Sequence, residues 1–102
     1  MSAHEEPPRP ACWRVRVHGR VQGVGYREAC VRQARMLGVG GWVRNRADGT
    51  VEVLMQGPAP ALAQLRDWLQ QGPPAAWVER VEVQPLGAAE ALHPRFERRP
   101  TV

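Results

Sequence analysis

The sequence predicts an α+β domain: a ferredoxin-like two-layer α/β sandwich in the order β-α-β-β-α-β, with two helices on one face of an antiparallel sheet. Three observations predict it. Trp13, Val15 and Val17 alternate with Arg14, Arg16 and His18, the period of a half-buried strand. Two later stretches place apolar residues at helical spacing, and a glycine closes each. Between them, two short strand-like runs flank Ala47, Asp48 and Gly49, the turn chemistry of a β-hairpin.

Each element follows from its own residues. After the first strand comes a glycine-rich stretch, then a helix marked by Cys30, Ala34 and Leu37, with Val31 beside them. Gly38 stops it, as glycine often does just past a last turn. "GWVRN" reads as the second strand. "TVEVLMQ" reads as the third, with Val51, Val53 and Met55 on one face and Thr50, Glu52 and Gln56 off it. Pro58 and Pro60 open a second helix, with Leu62, Leu65 and Leu69 on its buried face and Trp68 adjacent. Gly72, Pro73 and Pro74 end it. "VERVEVQ" is the fourth strand, with Val81 and Val83 inward. A last short strand around Phe96 is expected, although "FERRP" is poor in strand formers.

The 102 residues fit one domain, placed at 12–99, with a disordered tail at 1–11 and a short C-terminal tail at 100–102. No apolar run is long enough to span a membrane, and the N-terminus lacks the basic and apolar segments of a secretory signal. A cytoplasmic protein without a membrane partner is expected. Nothing in the sequence demands an oligomer, so a monomer is expected.

The net charge is +4, and all 14 basic residues are arginine. Arginine suits phosphate-bearing partners, but a solvated surface is the better explanation for most of the 14. Cys12 and Cys30 lack metal-ligand spacing and are expected as free thiols. His4, His18 and His93 are scattered. No metal site and no cofactor are expected.

The stretch "VHGRVQGVGYR", residues 17–27, carries the main functional signal. Gly19, Gly23 and Gly25 lie between a strand and a helix. Backbone N–H groups converge in such a loop, and the helix N-terminus adds partial positive charge. Arg27, in the first helical turn, is a cation where the helix dipole does not call for one. An oxyanion cradle and a ligand-free turn are both compatible with the loop. The P-loop and dinucleotide motifs are not. The chain has no lysine, and Glu28 stands where GxGxxG would need glycine.

These residues resemble the first signature of the acylphosphatase family. "GWVRNRADGTVEVLMQG", residues 41–57, resembles its second. The resemblance implies a small metal-independent hydrolase that splits acyl phosphates into a carboxylate and inorganic phosphate. It implies that Arg27 binds the phosphate and Asn45 orients the attacking water. It further implies that Gly19, Arg20, Val21, Gln22, Gly23, Val24 and Gly25 form the backbone cradle. Three departures stand out. Tyr26 replaces a commoner Phe or Met, and its hydroxyl needs a partner if buried. Arg46 replaces a small hydroxyl residue, with an expected change of charge at the rim of the site. The segment "FERRPTV" is less apolar than the family's last strand.

Without the motifs, Asn45 would read as a turn residue and Gln22 as a polar loop residue. The four tryptophans read as core or sheet packing. The alternative function is a non-catalytic anion- or RNA-binding module on the same fold. An RNA-reading sheet needs aromatic residues on its central strands, and "TVEVLMQ" has none. A regulatory domain of a larger carbamoyl-transferring enzyme is a third reading, and the chain length favours a free-standing protein. No nucleic-acid partner is expected.

Overall fold

The computed structural model describes residues 10–88 and 91–102. Most of the expected N-terminal tail, residues 1–9, lies outside the described residues. The elements are β1 (Ala11–Arg20), α1 (Tyr26–Met36), β2 (Gly40–Asn45), β3 (Val51–Gly57), α2 (Ala59–Gln71), β4 (Trp77–Ala88) and β5 (Phe96–Arg99). The sheet order is β4-β1-β3-β2-β5. The first four strands pair antiparallel, whereas β5 lies parallel to β2, with Gly41 opposite Phe96. The sheet is therefore mixed, not purely antiparallel as the sequence suggested. The correction has a simple cause. The β4–β5 connection crosses to the far edge and delivers β5 running with β2. Phe96 is nearly fully buried there, so one aromatic side chain holds the strand that the composition of "FERRP" disfavours.

Alternation sorts the strands into two faces. Val15 and Val17 of β1, Val43 of β2, and Val51, Val53 and Met55 of β3 meet Cys30 and Ala34 of α1 and Leu62, Leu65 and Leu69 of α2 in one core. Each such leucine contributes roughly 1.5–3 kcal/mol on burial. Among the described residues, no helix lies over the opposite face. That face carries Arg14, Arg16, Trp42, Arg44, Glu52 and Gln56, at the in-between positions of the same strands. Trp42 is buried there, with the Arg44 and Arg99 guanidinium carbons 4.5 and 5.3 Å from its ring centroid. Trp77, by contrast, is exposed rather than packed.

α1 ends one residue earlier than its apolar spacing implies, with Leu37 as its cap. Gly38 N–H donates to Arg35 O and Val39 N–H to Ala34 O, the paired bonds of a Schellman ending. At the hairpin, Gly49 N–H donates to Arg46 O, and Asp48 Oδ1 accepts from both the backbone N–H and the hydroxyl of Thr50. The loop is thus three residues, 47–49, with Gly49 at positive φ. Cys12 and Cys30 are both unpaired and buried. Cys12 is on the open face beside Gln56, and Cys30 is in the core, where burial pushes its thiol pKa well up.

Candidate active site

β1 delivers the chain to one end of the sheet, and α1 starts there. Between them, residues 22–25 form successive bends. Two glycines are required by geometry. Gly19 has φ +129°, and a Cβ there would fall 2.1 Å from Trp77 O, so only glycine lets β1 pair with β4 through the local register shift. Gly25 caps α1 in the left-handed region at φ 78°, ψ 18°, where an L side chain is disfavoured by about 1–2 kcal/mol. No side chain caps the helix. The first-turn N–H groups are thus left for another acceptor. The first bond into the helix is Ala29 N–H to Gly25 O, at 3.1 Å.

Val21 and Tyr26 fasten the loop from below. Val21 is buried in the core. The Tyr26 hydroxyl donates to Leu69 O at 2.7 Å, and its ring lies 5.6 Å from that of Trp68. The partner required by a buried phenol is therefore supplied by the end of α2. Burial raises the Tyr26 pKa well above the ordinary phenol value, with the nearby Cys30 adding to it, so the ring is neutral.

A cavity of about 130 Å³ opens at this end of the sheet. It is lined by Val21, Gly23, Gly25, Tyr26, Arg27, Glu28, Asn45 and Arg98. The structure thus brings Arg27 and Asn45, predicted from separate motifs, to the walls of one pocket. Gly23 and Gly25 line it directly, and a Cβ on either would meet nothing within 4 Å. Gly19, Arg20, Gln22 and Val24 are not in the cavity wall. Asn45 is the last residue of β2, and its alternation with Val43 turns it to the helix side. Its Oδ1 is buried, with no hydrogen-bond partner among the described residues. Its backbone is held from both sides: it pairs with Val51, and its carbonyl accepts from Val102 N–H at 3.1 Å. The expected C-terminal tail, residues 100–102, thus ends with Val102 bonded to the backbone of Asn45 and Ala47.

Three features escaped the sequence reading. Gln22 is more than a loop residue: its Nε2 donates to Arg46 O at 2.8 Å and to Thr50 O at 2.9 Å, tying the glycine loop to the hairpin that carries Asn45. Arg98, in β5, lines the cavity and pairs with Glu28, offsetting that carboxylate in the cavity wall. Arg46 does not charge the rim of the site. Its guanidinium turns to the open face and donates to Glu52 Oε1 at 3.0 Å. No sequence signal gives these partners: those of Gln22 and Arg98 are distant in the chain, and that of Arg46 depends on how the hairpin turns its side chain. Among the described residues, no group of three His, Cys, Asp or Glu is placed to hold a metal ion.

Fold and pocket together define a ferredoxin-like α+β protein with a small polar cavity at one end of its sheet. The acylphosphatase family model matches residues 13–97. The chain is 57% identical over 89 residues to an acylphosphatase of Cupriavidus metallidurans, covering 87% of this chain and 92% of that protein. The crystal structure of acylphosphatase from Bacillus subtilis matches with a TM-score of 0.83 and 37% identity, over 87% of this chain and 98% of that one. The acylphosphatase from Coxiella burnetii matches with a TM-score of 0.82 and 34% identity, over 89% and 94%. The chain belongs to the acylphosphatase family. It is a hydrolase acting on acyl phosphates, and the binding-module alternative is not favoured.

Proposed function

We propose that Arg27 and the backbone of residues 19–25 hold the phosphate of the substrate, that Asn45 orients the attacking water, and that no metal ion takes part. The observation that carries this reading is the buried, unpartnered Asn45 Oδ1 in the same cavity as Arg27 and the glycine loop. An unsatisfied buried acceptor costs about 1–3 kcal/mol, and a water donating to it removes that cost. That water keeps a lone pair free for phosphorus. Its oxygen forms a bond to phosphorus while the bond from phosphorus to the acyl oxygen breaks. The bonding electron pair leaves on the carboxylate, and a phosphate oxygen of the substrate takes the water's proton. Asn45 is neutral and serves as a positioning group, not a base.

A carboxylate is a good leaving group, so the reaction needs charge stabilisation and positioning more than acid catalysis. Arg27 and the first-turn amides supply the positive charge that a metal would otherwise bring. The cavity suits a phosphate group and leaves the acyl portion outside, so selectivity rests on the phosphate end of a small acyl phosphate. The enzyme works as a cytoplasmic monomer, with no nucleic-acid or membrane partner. Among the described residues, no helix is long and apolar enough to cross a membrane.

The test is hydrolysis of an aryl acyl phosphate by the purified chain in excess chelator. The rate is expected to be unchanged, with competitive inhibition by inorganic phosphate and amide shifts centred on residues 19–27. Loss of activity on chelation, restored by magnesium or zinc, overturns the metal-free reading.

A further inference from the structure

Glu52 is buried on the side of the sheet away from the cavity, with only 4% of its surface exposed. Four arginines surround its carboxylate. Arg44 Nε donates to Oε1 at 2.7 Å and Arg46 Nη1 to the same oxygen at 3.0 Å. Arg14 Nε and Arg16 Nη2 lie farther off, 3.7 and 3.9 Å from Oε2. The two close partners are the residues on either side of Asn45. Strand alternation sends Asn45 toward the helices and both neighbours to the opposite face. One buried carboxylate thus grips the chain immediately before and immediately after the residue whose amide lines the site.

From this arrangement we infer that Glu52 is a positioning residue for catalysis, acting through Arg44 and Arg46 to set the orientation of Asn45. The inference rests on the reading of Asn45 as the water-orienting group. Arg44 and Glu52 stand directly opposite each other in the β2–β3 register, so the grip also fixes the last pairs of the hairpin. Gln22 holds the glycine loop by separate contacts, because its amide binds the backbone carbonyls of Arg46 and Thr50 and not the side chains that meet Glu52. A structural ion cluster with no such role would affect melting alone. A positioning role lowers kcat through Asn45 and leaves the phosphate cradle intact.

The experiment is a double-substitution cycle on folded protein, with kcat, KM and phosphate inhibition measured for Glu52→Gln, Asn45→Ala and the pair. Glu52→Gln is expected to lower kcat on the order of tenfold, the scale of a small misplacement of a reacting group, with KM nearly unchanged. With Asn45→Ala already present, it is expected to lower kcat no further. Arg46→Met, which removes one of the two grips, is expected to show a smaller loss that Asn45→Ala likewise absorbs. It decides the matter if Glu52→Gln does not fold. Arg14→Met, which removes a distant partner of the same carboxylate, is expected to leave kcat unchanged. Full kcat in folded Glu52→Gln, or in Arg46→Met where that variant decides, overturns the inference. So does an equal loss with and without Asn45. Normal turnover in Asn45→Ala alone overturns the reading of Asn45 and this inference with it, before Glu52 is touched.

Discussion

The two halves of the pocket meet at one end of the sheet but are built by opposite means. The loop of residues 19–25 is made of backbone. Its glycines hold conformations that side chains resist, and the binding groups proposed for it are N–H donors. The end of the β2–β3 hairpin is made of side chains: Asn45 on one face, and on the other the Glu52 cluster beneath it. Backbone donors cannot be deleted singly, so the loop is robust to substitution except at its glycines and at Gln22, whose side chain ties it to the hairpin. The hairpin end depends on individual groups, and each can be removed. Phosphate binding is therefore assigned to the robust half together with Arg27, and the ordering of water to the adjustable half.

The comparison breaks hardest at Arg27. Arg27→Ala is expected to abolish phosphate inhibition and reduce turnover to near background, because the same charge serves ground state and transition state. Arg27→Lys is expected to recover little, since a point charge does not reproduce the planar fork. Steady-state kinetics beside a phosphate titration checks both. Asn45→Ala separates the halves. Phosphate affinity is expected to persist while kcat falls on the order of 10² to 10³, the range for loss of one preorganised polar group. Near-normal turnover in this variant, shown folded by circular dichroism, counts against the division of labour.

Gln22 joins the halves, so Gln22→Ala sharpens the comparison. It strips donors from two carbonyls, and is expected to lower kcat/KM about tenfold, with kcat and KM both affected because loop and hairpin lose their common register. An effect on melting alone would make Gln22 a purely structural tie.

The smallest effect concerns pH. Burial pushes the Glu52 carboxyl pKa up, but the hydrogen bonds and charges of Arg44 and Arg46 outweigh it and hold the pKa below the usual glutamate range. A carboxyl with a depressed folded pKa contributes stability that is fully present above its unfolded pKa and is lost as pH falls through its folded one. The Tm gap between the native chain and Glu52→Gln is thus expected to stay constant from neutral pH to the ordinary carboxylate range and to shrink below it. Parallel melting curves across the acid range test this.

The sequence carried the local half of this organisation. Strand β1 was visible in its alternation, the helices in their leucine and alanine spacing, and Arg27 and Asn45 in two motifs, each lying within one short stretch. What was hidden depends on partners distant in sequence. β4 was expected over 78–84 and runs to Ala88, because an edge strand tolerates Pro85 where a central strand would not. β5 is parallel because of where its connection lands, which no local period encodes. Glu52 looked like the solvent-side residue of an amphipathic strand. Only the convergence of β1, β2 and β3 shows that its partners come to it and bury it.

The placement of the two thiols carries a consequence for how the molecule breathes. Cys30 is sealed in the core as part of α1, and Cys12 is buried on the open face of the sheet. A thiol reacts only as an accessible thiolate, so each sulfur registers the opening of its own layer and is silent about the other. The protein thus carries two internal clocks. A disulfide reagent that modifies Cys30 times the lifting of the helix whose N-terminus lines the cavity. Modification of Cys12 times motion on the far side. If bound phosphate stabilises the start of α1, it slows the first clock and leaves the second running at its former rate.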